Sequence, residues 1–296
     1  MKYPESLRNS CPCIEDVSLK PMTYVRIGGN TPFLVEPLNR DEWVSSLQCL
    51  SSEGIPFRIL GGGSNILVSD EGIDDVIVSS RRLSRIYRKD DDDLRLQVEA
   101  GASLGRLVST CHSFGLTGAE PLIGIPGTVG GAAITNAGGR WGSMGALIRR
   151  ATLLNGSGML EVRDLEAGDF AYRSSPLKGE VVIELEIHLD RGDKKKIWET
   201  MRTILTEKKE NQPLMDKSCG CVFKNPGEDS AGRLLERAGM KGLSMGAARV
   251  SEKHANFIIN SGDSTYQDYY HLILEGRRRV MEKYGVELDL EIETWT

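Results

Sequence analysis

Two glycine-rich segments constrain the fold of this chain more than any other feature. The first, Gly61-Gly62-Gly63-Ser64-Asn65-Ile66, follows a short strand-like segment at residues 57–60. The second, Pro126-Gly127-Thr128-Val129-Gly130-Gly131, lies in a stretch (residues 124–145) that is too rich in glycine for a helix interior. Glycine lets a backbone turn tightly, approach a ligand closely and present successive N–H donors to a pyrophosphate. One extended cofactor explains both segments better than two unrelated loops do.

The first segment does not have the pattern of a Rossmann dinucleotide site. It lacks the G-x-G-x-x-G spacing, and no acidic residue stands where it would hold a ribose. Each segment taken alone is equally compatible with a plain loop or with the packing of small residues. The pair of segments therefore indicates a cofactor site of another fold class.

The charge balance narrows the ligand class. A net charge of -5 gives the chain no electrostatic reason to bind nucleic acid or a membrane surface. An anionic ligand must then be held by backbone N–H groups and single cationic side chains. No run of about 18 apolar residues is present. Residues 1–5 lack the apolar core of a signal peptide, so we expect a cytoplasmic protein.

The six cysteines do not form a disulfide framework in a chain of this length, and we expect reduced thiols. Two pairs have C-x-C spacing, whereas structural zinc sites use C-x-x-C pairs, so we expect no metal site. The cysteines are Cys11, Cys13, Cys49, Cys111, Cys219 and Cys221.

Three short blocks carry candidate chemistry. Arg173, which follows Tyr172, can hold a carboxylate or an enolate oxygen. Cys221 precedes a cation and an amide, and a thiol with an ordinary pKa of about 8.5 can donate a proton to a carbanion at neutral pH. Glu291 alternates with apolar neighbours on a strand-like segment. Separately, these residues are compatible with a surface arginine, a buried thiol and a solvated strand face.

The periodicity predicts mixed α+β units in three successive blocks. We expect Asp41 to cap a first helix, and Ser103 and Gly115 to delimit a second one. A long helix is expected from Thr265 to Tyr284, followed by a last strand at residues 286–292.

Taken in order along almost the whole chain, these segments resemble the UDP-N-acetylenolpyruvoylglucosamine reductases, also called UDP-N-acetylmuramate dehydrogenases. Residues 23–29, 60–67 and 124–139 resemble the family's N-terminal strand and two flavin-binding segments. Residues 170–175 and 220–226 resemble its catalytic blocks, and residues 231–236, 250–257 and 285–292 resemble the rest of its substrate domain.

The resemblance implies an α+β fold of the vanillyl-alcohol-oxidase type in its compact subtype. It implies FAD-binding subdomains at residues 1–80 and 81–192 and a substrate-binding domain at 193–296. FAD is the implied cofactor and NADPH the implied co-substrate. The implied reaction reduces UDP-N-acetylglucosamine enolpyruvate to UDP-N-acetylmuramate, a step in peptidoglycan synthesis and hence in cell-wall biogenesis, cell shape and cell division.

Residue roles follow from the resemblance by position. Arg173 and Glu291 resemble the pair that stabilises an enolate-like intermediate, and Cys221 resembles the proton donor. Three further residues match positions near the substrate: Tyr172, Lys224 and Asn225. The implied flavin contacts are Gly61, Gly62, Gly63, Ser64, Asn65, Ile66, Pro126, Gly127, Thr128, Gly130, Gly131 and Asn136.

Two departures from the family pattern stand out. Many members carry serine at the position of Cys221, and cysteine adds a group that can be oxidised. After Asn136-Ala137-Gly138 the family often continues with a small residue and a tyrosine, whereas Gly139-Arg140-Trp141 stands here, which leaves the substrate contacts at this corner open. His254 and Lys253 are expected to be structural or peripheral, because the implied mechanism requires no imidazole.

Two alternatives stay open at the level of sequence. One is a flavoprotein oxidase of the same fold, and the other is a nucleotide-sugar-binding protein that has lost its flavin. We expect a monomer, although the sequence leaves open the oligomeric state, the choice between NADPH and NADH and any dependence on monovalent cations.

Overall fold

The computed structural model describes residues 11–89, 92–156, 158–227 and 229–296. The first residues, interpreted above as lacking a signal-peptide core, lie outside these ranges. The helices of the described residues, numbered in chain order, are α1 (Arg40–Ser52), α2 (Leu104–Phe114), α3 (Val129–Thr135), α4 (Lys194–Asn211), α5 (Ala231–Arg237) and α6 (Tyr266–Tyr284).

The strands of the described residues are short. They are β1 (Cys13–Ser18), β2 (Asn30–Val35), β3 (Phe57–Leu60), β4 (Ile66–Val68), β5 (Val76–Ser79), β6 (Ile86–Lys89), β7 (Asp92–Glu99), β8 (Leu116–Thr117), β9 (Gly138–Gly139), β10 (Gly142–Ser143), β11 (Ile148–Leu154), β12 (Leu160–Asp164), β13 (Val181–His188), β14 (Asp190–Arg191), β15 (Ser218–Cys221), β16 (Ser244–Met245), β17 (Ala248–Val250), β18 (Phe257–Asn260) and β19 (Glu293–Trp295).

The chain divides into two compact units. The first unit contains residues up to Asp16 together with Pro32–Gly62 and Asp75–Thr206. The second unit contains Val17–Thr31, Gly63–Asp74 and Glu207–Thr296. The expected division into three blocks at residues 80 and 192 stays a prediction.

Two sheets build the first unit. One has the strand order β1-β2-β5-β3, and its inner strand β5 pairs in parallel with β2 and β3. All four residues of β5 are buried, as is typical of a strand covered on both faces. The other sheet, β12-β11-β13-β7-β6, is antiparallel throughout. One core cluster unites Val76 and Val78 of the first sheet with α1 and with Ile183 of the second.

Local capping fixes the helices of the first unit. Ser103 accepts the N–H of Arg106 at the start of α2, and Gly115 ends the helix with a φ of 69°, as predicted. The prediction for α1 was wrong by two residues: Asn39 caps this helix by accepting the N–H of Glu42, and Asp41 lies inside the first turn.

The expectation that residues 124–145 exclude a helix was also wrong. The short helix α3 lies within this stretch, with Gly130 against Ala100. A Cβ at Gly130 would lie 2.8 Å from the Cβ of Ala100, so close packing compensates for the low helix propensity of glycine.

The second unit contains a four-stranded antiparallel sheet of order β15-β18-β17-β16. The long helix α6 contributes Tyr269, Leu272 and Ile273 to the core of this unit. Its predicted ends are confirmed, with Thr265 as the N-cap and Gly285 in the left-handed region. No helix within the described ranges is both long and apolar enough to span a bilayer.

The predicted last strand lies further along the chain than expected. Residues 286–292 make a single antiparallel bridge, at Leu290, and the strand proper is β19. This strand pairs in parallel with β4, with Glu293 opposite Ile66.

Candidate functional site

The two glycine-rich segments contact each other backbone to backbone in the first unit. A Cβ at Gly62 would lie 2.6 Å from the Cα of Gly127, and a Cβ at Gly61 would overlap Oγ1 of Thr128. Side chains are therefore excluded where the segments meet. Within the described ranges, the N–H groups of Gly61 and Gly62 donate no hydrogen bond to the protein. These N–H groups suit a pyrophosphate, whose oxygens accept hydrogen bonds from backbone donors that the protein does not use itself.

The second segment is held rigidly behind this contact. The carbonyl of Gly127, whose φ is 117°, accepts the N–H of Leu104 at 3.1 Å. Thr128 caps α3 by accepting the N–H of Gly131. A Cβ at Gly131 would meet only Oγ1 of Thr128, at 3.5 Å, so its outer side is open to a ligand. Small residues on a fixed backbone fit the flat ring of a flavin.

The remaining residues of the first segment belong to the second unit. Gly63 has a φ of 66°, and its carbonyl accepts the N–H of Tyr24 at 2.8 Å. Nδ2 of Asn65 donates to the backbone carbonyl of Glu291 at 3.2 Å, and the backbone carbonyl of Asn65 accepts the N–H of Glu293 at 2.9 Å. Asn65 therefore fixes the position of the predicted catalytic Glu291. Two other predicted flavin contacts, Ser64 and Ile66, flank it in the chain, and Pro126 precedes Gly127.

Asn136 contacts the protein itself rather than presenting its amide outward. It occupies the left-handed region with a φ of 45°. Its Nδ2 donates to the carbonyl of Ala171 at 2.7 Å, and its Oδ1 accepts the N–H of Gly145 at 2.9 Å. The amide thus anchors the segment that carries Arg173, which the sequence did not indicate.

Arg173 lies at the tip of a two-residue turn with Tyr172. The turn is closed by two backbone hydrogen bonds between Ala171 and Ser174, at 3.1 and 3.2 Å. Arg173 has a φ of 51°, an uncommon conformation for a residue with a side chain. Its Nη2 donates to the carbonyl of Gly138 at 3.0 Å, and its guanidinium lies 5.1 Å from the centre of the Tyr172 ring. The turn and its hydrogen bonds therefore hold the Arg173 guanidinium in a defined position on a backbone of strained conformation.

Cys221 and Glu291 are brought onto neighbouring segments of the second unit. The N–H of Glu291 donates to the carbonyl of Val222 at 2.8 Å, and Phe223 forms an antiparallel bridge with Leu290. Both Cys221 and Glu291 are half-buried. Two segments that are far apart in the sequence are therefore adjacent in the fold.

Asn256 clamps the segment that follows Cys221, and the sequence did not identify it. Its Oδ1 accepts the N–H of Phe223 at 2.9 Å, and its Nδ2 donates to the carbonyl of the same residue at 2.8 Å. In the sequence, Asn256 stood out only by its place near His254, which we expected to be structural or peripheral. Nδ1 of His254 accepts the N–H of Asn256, and burial first, then Lys241, lowers the pKa of the imidazole.

The second cysteine of this region has a packing role. Sγ of Cys219 donates to the carbonyl of Ile66 at 3.1 Å, and burial raises the pKa of this thiol to about 12. Cys219 therefore stays protonated and closed to solvent. Of the C-x-C pair, Cys221 is the more exposed thiol.

The predicted substrate residues are differently placed. Oδ1 of Asn225 accepts the N–H of Ala231, the first residue of α5, so this amide also organises the protein. The backbone N–H of Lys224 donates to the carbonyl of Asp289 at 2.9 Å, and Tyr172 is exposed. The described residues contain no cluster of three or more metal-binding side chains.

Two family models match the chain. The FAD binding domain matches residues 31–163, which include both glycine-rich segments. The C-terminal domain of UDP-N-acetylenolpyruvoylglucosamine reductase matches residues 212–295. Together with the fold, these matches identify an FAD-dependent oxidoreductase with a vanillyl-alcohol-oxidase-type FAD-binding fold.

Relatives that match nearly the whole chain identify its family. The chain is 40% identical over 279 residues to UDP-N-acetylenolpyruvoylglucosamine reductase 2 of Symbiobacterium thermophilum, covering 94% of this chain and 90% of the relative. It is 37% identical to the reductase of Carboxydothermus hydrogenoformans, covering 99% and 97%. The crystal structure of the Thermus caldophilus reductase superposes with a TM-score of 0.81 at 36% identity, covering 95% and 98%.

The chain belongs to the UDP-N-acetylenolpyruvoylglucosamine reductase family. The predictions of the α+β fold, of a flavoprotein oxidoreductase with FAD as cofactor and of a role in peptidoglycan synthesis are confirmed.

Proposed function

We propose that this enzyme uses NADPH to reduce UDP-N-acetylglucosamine enolpyruvate to UDP-N-acetylmuramate in the cytoplasm. Its family membership and its paired FAD-binding segments support the proposal. When bound, FAD supplies the hydride for the terminal carbon of the enol ether, after its own reduction by NADPH. The backbone of Gly61, Gly62, Gly127 and Thr128 would hold this cofactor, since side chains are excluded where the two segments meet.

Arg173 is the group to which we assign electrostatic stabilisation. Negative charge develops on the substrate carboxylate and enolate oxygens when hydride adds to the enol ether. A guanidinium fixed by the carbonyl of Gly138 can oppose this charge without reorganising. Asn136 supports this role, because it anchors the backbone at Ala171, two residues before the arginine.

Cys221 is the proposed proton donor and Glu291 its partner in stabilising the enolate-like intermediate. The observation that carries the proposal is the pairing of their two segments through Val222 and Leu290. A neutral thiol donates its proton to the carbon beside the ether oxygen, and solvent later replaces that proton. Asn256 holds the segment after Cys221 in register, which fixes the thiol's position.

Three side chains are assigned to substrate binding. Lys224 follows the Cys221 segment closely and carries a cation suited to a phosphate or carboxylate. Asn225 lies beside it at the start of α5. Tyr172 is exposed beside Arg173 and presents an aromatic face and a hydroxyl. Substitution of these residues should raise the KM for the enolpyruvyl substrate more than it slows flavin reduction.

Solvent deuterium tests the assignment of Cys221. Turnover in D2O should place one deuterium on the carbon beside the ether oxygen. Cys221→Ala should leave flavin reduction by NADPH intact and slow product formation by about 10²- to 10⁴-fold. Cys221→Ser should restore much of the rate, because a hydroxyl can also donate a proton. Cys49→Ala, a change in a cysteine outside the site, is the matched control. Near-normal turnover by Cys221→Ala would refute the assignment.

A further inference from the structure

Two cysteines that the proposed reaction does not use lie close together where β1 begins: Cys13 is the first residue of the strand, and Cys11 lies in a bend before it. Sγ of Cys11 is 3.8 Å from Sγ of Cys13. Cys11 is buried in the core cluster of α1 and the four-stranded sheet, and Cys13 is half-buried at its margin. Sγ of Cys13 also donates to the backbone carbonyl of Cys11, at 3.2 Å. The C-x-C spacing therefore produces a close pair of thiols.

The surroundings of this pair activate one thiol. Oγ of Ser46, on α1, lies 3.1 Å from Sγ of Cys11. Hydrogen bonding with Cys13, and then with Ser46, lowers the pKa of Cys11 to about 7, although burial and the charge of Glu42 act to raise it. A thiolate is therefore populated at neutral pH, and the thiolate is the nucleophilic form.

Two other cysteines of the chain show the opposite behaviour. Burial raises the pKa of both Cys111 and Cys219 to about 12. These thiols stay protonated and unreactive at neutral pH. They are internal standards against which the reactivity of the pair can be measured.

We propose that Cys11 and Cys13 form a dithiol site that hydrogen peroxide oxidises reversibly to an intrachain disulfide. The Cys11 thiolate attacks one peroxide oxygen, the O–O bond breaks, and hydroxide leaves with a sulfenic acid on Cys11. Sγ of Cys13 then attacks the Cys11 sulfur, forms the S–S bond and expels hydroxide, which takes the Cys13 proton as water. The two thiols lose two electrons, and one peroxide becomes two waters.

The geometry permits this bond without moving the strand. Even a fully extended chain separates the Cα atoms of residues two apart by about 6.6 Å, inside the range of about 4.4–6.8 Å found for disulfides. Rotation of the two side chains can then bring the sulfurs from 3.8 Å to bonding distance. The product links only neighbouring residues, so the fold of the first unit should be retained.

Mass mapping of the reduced full-length protein tests the proposal. One equivalent of hydrogen peroxide is added, and free thiols are then blocked with N-ethylmaleimide. The peptide containing Cys11 and Cys13 should lose two hydrogens and take no maleimide. It should react at least about tenfold faster than Cys111 and Cys219. Dithiothreitol should restore both thiols. Oxidation no faster than that of Cys111, or oxygen addition without hydrogen loss, would overturn the proposal.

Variants and a second probe make the test specific. Cys13→Ser should give no disulfide and instead leave a sulfenic acid on Cys11 that dimedone traps. Cys49→Ser, which alters a cysteine packed against the same cluster, should still form the Cys11–Cys13 disulfide. Phenylarsine oxide, which needs two adjacent thiols, should protect both residues of the native wild-type protein from maleimide. If it protects neither, the pair is not a functional dithiol, whatever the variants do.

Discussion

The contact between Gly62 and Gly127 gives the sharpest test of the cofactor cradle. In Gly62→Ala, the new Cβ would lie 2.6 Å from the Cα of Gly127, where ordinary contact begins at 3.4 Å. The two backbone segments must therefore separate by about 0.8 Å. Neither partner is a flexible side chain that could move aside. Overpacking of this kind costs about 1–3 kcal/mol.

We expect this cost to appear when FAD binds, because the displaced segments must return to their wild-type spacing to hold the cofactor. A cost of about 1–3 kcal/mol corresponds to an increase of about 5- to 150-fold in the Kd for FAD. The Kd is measured by titrating apoprotein with FAD and following flavin fluorescence. Thermal melting of the apoprotein shows whether the clash also destabilises the unit without cofactor.

The matched control is Gly105→Ala. A Cβ at Gly105 meets nothing within 4 Å, and alanine should favour the helix α2 in which this residue lies. Gly105→Ala should leave the Kd for FAD unchanged. A Kd for Gly62→Ala within twofold of the wild-type value would show that the segments do not close on FAD as we infer, even if the melting temperature falls.

Three further predictions follow from the contacts. Asn256→Ala leaves the buried N–H and carbonyl of Phe223 without partners, so unfolding should require about 2–4 kcal/mol less free energy, measured by denaturant titration. Arg173→Lys should preserve flavin reduction by NADPH but slow stopped-flow reoxidation by substrate, since lysine lacks the guanidinium fork. Hydrogen bonds from Arg278 and then Arg279 lower the pKa of Glu275 to about 2. The ionised Glu275 carboxylate therefore stabilises the fold above about pH 4.5, and this stabilisation is lost as the pH falls towards 2. Glu275→Gln should therefore flatten the acid side of the melting-temperature profile over that range.

Helix ends set by local chemistry could be predicted from the sequence. Ser103 and Gly115 delimit α2 because a side-chain cap and a left-handed glycine act within one turn. The same logic located both ends of α6. It placed the cap of α1 at Asp41 rather than Asn39, because both residues are good caps and only the chain's entry into the helix distinguishes them.

Features that depend on distant partners could not be predicted. The helix α3 exists because Gly130 packs on Ala100, which periodicity does not reveal. The strand β19 pairs with β4, whose position relative to the C-terminal segment no local pattern encodes. Helix propensity and alternation therefore misplaced both elements.

In the candidate site, too, features set by residue type could be predicted from the sequence and features set by distant partners could not. Glycine chemistry indicated the cradle and the thiol of Cys221 suggested proton transfer, whereas the role of Glu291 came only from the family resemblance. The sequence did not reveal the residues that position these groups: Asn136 anchors the Arg173 turn, and Asn256 makes two hydrogen bonds to the backbone of Phe223. Asparagine is common in loops, so its partners become evident only when the chain is folded.

The most direct test of the proposed function is anaerobic. The enzyme with bound FAD is reduced with NADPH, UDP-N-acetylglucosamine enolpyruvate is added, and the flavin absorbance is followed. Rapid return of the oxidised spectrum without oxygen, with UDP-N-acetylmuramate as product, is the predicted result. Bleaching that only air reverses would contradict the account and indicate an oxidase of the same fold. A protein that never takes up FAD would indicate a nucleotide-sugar-binding protein instead.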